Sequence, residues 1–169
     1  ENNGDSTFSD VTPPLWLRYP HAEMGFACTD YNNDGWVDFV TGNWNEGYAL
    51  YRNQAVTGKD NHWLTVRLTG AAPINRDAIG ARVYLTTDDG RTQMQEVRNG
   101  GSLGAGNDTA LHFGLKQASI QSLKIVWPDG KLDLVEDVAV DQIWQGYYSE
   151  AAKAAAQQPV SQVTEVAKS

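Results

Sequence analysis

The stretch DYNNDGWVD, residues 30–38, decides how the rest of the chain is read. It places Asp30, Asn32, Asp34 and Asp38 within nine positions, with Gly35 at the sixth. Calcium is a hard cation that takes about 6–8 oxygen ligands, and a chain supplies them by spacing carboxylates through one tight loop. In the pattern D-x-N-x-D-G-x-x-D, positions 1, 3, 5 and 9 are Asp30, Asn32, Asp34 and Asp38, and position 7 offers the backbone carbonyl of Trp36. Gly35 allows the sharp turn that folds the ligands inward. A divalent ion among three carboxylates also explains how these like charges stand together. An all-oxygen set points away from zinc and copper, and magnesium is disfavoured because it keeps several waters. The competing reading is an Asx-rich turn without metal, since Asn and Asp favour turns on their own.

The surroundings of the loop set the fold class. A helical calcium loop carries a bidentate Glu at position 12. This chain has Thr41 there, within the strand-like run WVDFVTGN. The loop is therefore expected between strands, in an all-β protein. The rest of the chain carries the same punctuation. Asn3-Gly4, Asp34-Gly35, Asp89-Gly90, Asn99-Gly100 and Asp129-Gly130 are turn signals. Between them lie short runs rich in Val, Ile, Thr, Trp and Tyr. Residues 36–41 (WVDFVT) and 63–68 (WLTVRL) alternate apolar and polar. Residues 81–86 and 92–97 flank TDDG and read as a hairpin, as do 123–127 and 132–135 around PDG.

Composition limits the partners. The chain has 169 residues, enough for one domain or two small ones, and a net charge of −8 from 13 Lys+Arg against 21 Asp+Glu. No basic block exists, so no nucleic-acid partner is expected. The single cysteine, Cys28, forbids an intrachain disulfide and reads as a small buried hydrophobe, or as a link between chains. No apolar stretch is long enough for a membrane span. The abrupt start at Glu1, within ENNGDSTF, reads as that of a mature or trimmed chain. At the other end, residues 149–158 (SEAAKAAAQQ) predict a short helix that Pro159 ends. The polar tail PVSQVTEVAKS is expected to dock on its own domain or on a neighbouring chain.

Residues 28–54, which contain the loop (CTDYNNDGWVDFVTGNWNEGYALYRNQ), resemble an FG-GAP/VCBS-type β-propeller repeat. In that family such loops bind calcium between two strands of a blade, and ENNGDSTFSDVT is similar to the turn and strand that close one blade. The following stretch resembles the ASPIC/UnbV family through NHWLTVRLTG (61–70), NRDAIGARV (75–83), LHFGL (111–115) and VWPDG (126–130). The two resemblances imply a secreted, extracellular or cell-surface β-rich module used in adhesion or extracellular structure. They depart from the family in one respect: about one propeller repeat is present, and repeats bury their faces only by stacking on neighbours.

Further candidates are Asn75 and Asp77, with the acidic loop pairs Asp88-Asp89 and Asn107-Asp108, as extra calcium ligands or as ordinary solvated turns. Asn107-Asp108-Thr109 is also a glycosylation sequon. The six tryptophans (16, 36, 44, 63, 127, 144) suit β cores better than a glycan platform. His21, His62 and His112 lack a nucleophile context or metal spacing, and no enzyme activity is expected.

The expected architecture is a blade-like β-hairpin unit with a calcium loop over 1–56, packed on a β-sandwich-like domain over 57–148. A short helix and an extended tail follow over 149–169. The expected function is a secreted, calcium-binding structural module that self-assembles by strand addition into a homopolymer or filament. The alternative is a monomeric adhesion or carbohydrate-binding module that meets extracellular matrix or glycan.

Overall fold

The computed structural model describes residues 3, 5–10, 23–43, 47–55, 60–100 and 108–157. Trp16, His21, Trp44, Asn107 and the tail from Gln158 lie outside the described residues. The protein is all-β, with ten strands in three sheets and one short helix among those residues.

The first sheet is an antiparallel meander of β1 (Glu23–Thr29), β2 (Asp38–Asn43) and β3 (Gly47–Tyr51). Strand β2 begins two residues later than the alternation at 36–41 predicts. The Trp36 N–H is held by the Asp34 carboxylate at 3.0 Å, so the ladder starts only where Asp38 pairs with Thr29.

The second sheet has the order β10-β4-β7, from β4 (His62–Thr69), β7 (Leu111–Lys116) and β10 (Gln142–Tyr147). Strand β10 runs parallel to β4, while β7 is antiparallel to it. The third sheet, β6-β5-β8-β9, joins β5 (Arg82–Thr87), β6 (Thr92–Glu96), β8 (Ile120–Val126) and β9 (Leu132–Val135), all antiparallel. Its two hairpins use the predicted Asp-Gly turns. Gly90 and Gly130 take φ of 82° and 90°, and each donates its N–H to a carbonyl three residues back, Thr87 and Trp127.

Alternation builds the core. Leu64 and Val66 of β4, Leu111, Phe113 and Leu115 of β7, Val83 and Leu85 of β5, and Leu123 and Ile125 of β8 meet in one buried cluster. Two sheets whose inward faces share one core form a β-sandwich. Helix α1 (Glu150–Ala156) follows β10 and buries Ala152. Its start is capped by Ser149, whose hydroxyl accepts the Ala152 N–H at 3.2 Å.

The core cluster runs from Leu64 to Val138 and takes nothing from β1–β3. Those three strands pack chiefly on one another. An aromatic row crosses the small sheet, with Phe26 and Phe39 centroids 5.4 Å apart and Phe39 stacked on Tyr51 at 4.6 Å.

Candidate functional site

The acidic loop joins β1 to β2 and rests on the sandwich. Asn33 and Gly35 both take positive φ, 56° and 90°, which closes the turn. Position 35 is also a contact. A Cβ built there would stand 2.0 Å from Nε1 of Trp63 and 2.2 Å from its Cε2, so the glycine lets loop backbone lie against the indole.

Each predicted carboxylate ties the loop to itself or to the chain after β3. Asp30 accepts the N–H groups of Asp34 at 3.0 Å and Gly35 at 2.7 Å. Asp34 accepts the Trp36 N–H at 3.0 Å, the Asn32 amide at 2.7 Å and Arg52 at 3.3 Å. Asp38 is only 1% exposed and accepts the N–H groups of Asn53 at 2.7 Å and Tyr31 at 3.3 Å. Burial pushes the Asp34 carboxyl upward, but the hydrogen bonds from Asn32, Trp36 and Arg52 together hold it below the usual carboxylate range.

Two buried side-chain oxygens, Oδ1 of Asn32 in the loop and Oγ1 of Thr41 in β2, have no hydrogen-bond partner among the described residues. Leaving a buried carbonyl unpaired costs about 1–3 kcal/mol. An all-oxygen donor set with a buried, unanswered carbonyl fits a hard cation. Among the described residues, however, no three His, Cys, Asp or Glu side chains stand together as a metal site. The carboxylates are closed on backbone N–H groups in this arrangement.

The further acidic candidates have other partners. Asn75 spends its amide on Ile79, donating to its carbonyl at 2.9 Å and accepting its N–H at 2.7 Å. Asp77 is exposed. Asp88 accepts the N–H and hydroxyl of Ser119, Asp89 accepts Thr87 and Arg91, and Asp108 accepts Arg67 and the Ala110 N–H. Of the described tryptophans, Trp127 is buried, and Trp36, Trp63 and Trp144 are half-buried. Cys28 is exposed on β1, so the buried-hydrophobe reading of it fails.

Sequence reasoning missed a cavity of about 220 Å³ between the loop and the outer face of β4 and β7. Cys28, Asp30 and Asn33 line one side, and Thr65, Arg67 and His112 line the other. Thr65 and Arg67 alternate with the core residues of β4, so their outward direction was readable. Their neighbour His112 was not, because it follows from the Thr65–His112 pairing of β4 with β7. Burial depresses the His112 imidazole below its ordinary pKa, against the pull of Asp30.

Residues 71–153 match the family model described as ASPIC and UnbV. Cartilage acidic protein 1 of Homo sapiens is 25% identical over 134 residues, which cover 77% of this chain and 20% of the relative. The Mus musculus protein of the same name gives the same identity and coverage. That of Xenopus tropicalis is 29% identical over 112 residues, 64% of this chain and 16% of the relative. The chain thus spans about a fifth of the length of the curated relatives it matches. The family match leaves the acidic loop and β1–β3 outside, so the FG-GAP/VCBS resemblance rests on the loop residues themselves. From residue 71 to residue 153, the chain is similar to the ASPIC and UnbV family.

Proposed function

We propose that this chain is a secreted, calcium-binding structural module that assembles with copies of itself into an extracellular homopolymer. The observation that carries the assembly is a set of exposed apolar side chains on the small sheet. Phe26 is 61% exposed on one face, and Tyr48 and Leu50 are 87% and 56% exposed on the other. Neighbouring exposed apolar side chains on a sheet outside the core favour burial against another surface. A head-to-tail contact that does not close on itself makes a filament.

Calcium enters through Asp30, Asn32, Asp34, the Trp36 carbonyl and Asp38. The ion would answer the Asn32 carbonyl and neutralise charge in a chain of net −8. Its chemistry here is structural: it holds the loop that lies between the small sheet and Trp63. The extracellular location draws on the name of the relatives, cartilage acidic protein. No helix among the described residues is long and apolar enough to cross a membrane. The reading assigns no catalytic residue.

Sedimentation velocity in millimolar calcium and after chelation tests the proposal. Large species that dissolve on chelation support it. A monomer under both conditions contradicts it.

A further inference from the structure

We infer that the cavity between the acidic loop and the sandwich binds a small, neutral, polyhydroxylated ligand of the size of one sugar ring. The inference goes beyond calcium and assembly and needs neither. Its site is the outer face of β4 and β7, walled on the far side by β1 and the loop.

Size comes first. About 220 Å³ lies below the roughly 300 Å³ at which pockets for drug-sized ligands begin. It suits a single ring and excludes an oligosaccharide lying flat.

Charge excludes most other small ligands. The Arg67 guanidinium is paired with Asp108 at 3.2 Å, so no uncompensated cation awaits a phosphate or carboxylate. Asp30, on the opposite wall, would repel an anion further. Both of its oxygens already accept loop N–H groups. Burial lowers the His112 pKa from its ordinary value, against the pull of Asp30. What remains are groups that donate and accept hydrogen bonds, the chemistry that hydroxyls match: Thr65, Gln95, Asn33 and the imidazole. Val37 and Ala110 supply apolar wall for the C–H face of a ring.

The site is also held in place. The His112 ring lies nearly parallel to the Trp63 indole, centroids 6.0 Å apart at 14°. Its Nδ1 is 3.0 Å from the Thr65 hydroxyl, and among the described residues no hydrogen bond is made by Nε2. The Gln95 amide donates to the His112 carbonyl and fixes the backbone beneath. Groups fixed before binding lose little freedom when the ligand arrives.

The test is saturation-transfer difference NMR on the whole chain with a panel of free neutral monosaccharides, in calcium and after chelation. Two variants accompany it. Ala110→Phe fills the cavity, and Thr65→Val removes the hydroxyl at nearly constant size. The expected result is transfer to at least one sugar, with affinity lowered roughly tenfold or more in both variants. Their melting temperatures and amide spectra should stay close to those of the parent; if Ala110→Phe fails to fold, Thr65→Val carries the comparison. Glycan-array binding that Ala110→Phe abolishes would also support the inference, with a glycan end as the source. No transfer from any sugar together with no array binding overturns it. So does undiminished binding by the filled variant, or preference for acetate, phosphate or methylammonium. Absence of polymer leaves these readouts unchanged, so failure of the assembly reading is separately visible.

Discussion

Gly35 of the acidic loop lies against the indole of Trp63, so closely that a Cβ at 35 would overlap the ring 2.0 Å from Nε1. This contact joins the small sheet's loop to the sandwich. Gly35→Ala meets two penalties, a positive φ of 90° and the overlap. Strained backbone alone costs about 1–3 kcal/mol. The variant should melt at lower temperature and shift the tryptophan fluorescence. In Trp63→Ala, adding Gly35→Ala should cost only the backbone part, and a double-mutant cycle measures the difference. Equal costs in both backgrounds would remove the overlap from the account.

Asp34 accepts two hydrogen bonds within the loop and a third from Arg52 after β3, and belongs to the proposed ligand set. Asp34→Ala should weaken calcium binding and abolish the rise in melting temperature that calcium gives the parent. A ligand at 100 times its Kd stabilises by about 2.7 kcal/mol, so the parent shift should be easy to read. Calorimetric titration checks the affinity and a thermal scan checks the shift. Unchanged calcium binding in the variant would count against the loop as the site.

Trp127 is buried, and its indole N–H donates to Asp133 at 2.6 Å. Lys131 reaches the same carboxylate at 3.2 Å and the Tyr148 carbonyl at 2.7 Å, and the Tyr148 ring meets Trp127 edge-on at 5.4 Å. The turn after β8 is thereby clasped to the end of β10. Asp133→Ala strands the indole N–H and should destabilise by about 1–3 kcal/mol, as an unsatisfied buried donor does. Asp133→Asn keeps an acceptor and should lose less. Urea denaturation of the pair separates the two.

Asp89 is held down to about 2 by the Thr87 hydroxyl first and the Arg91 side chain second. Its unfolded value is near 3.8. A depressed carboxyl stabilises the fold above its unfolded pKa, and that contribution fades as pH falls through the folded one. Stability should therefore drop between about pH 4 and pH 2, and Asp89→Asn should flatten that part of the profile. The pair is exposed, so the effect should be small and should shrink in salt. Melting temperatures across that window test it.

The two hairpins were legible because Asp89-Gly90 and Asp129-Gly130 mark turns whose flanks alternate cleanly, and β5 and β8 each send one row inward. Strand β10 was not legible. It lies beside β4 in parallel, where Asp141 takes the Trp63 N–H from 78 residues away, and local pattern carries no record of such a partner. Strands were expected around the loop, but the bounds of β1 and β3 were not legible because EMGFACT and GYALY alternate poorly. The loop could be read as a ligand pattern, because spacing alone sets which oxygens can converge. The contacts of its carboxylates with backbone N–H groups, and the seat of Gly35 on Trp63, needed the fold.

Negative-stain microscopy of the purified chain, in millimolar calcium and again after chelation, tests the central claim most directly. The account predicts filaments in calcium that fall apart when it is removed. Single particles in both conditions would contradict it.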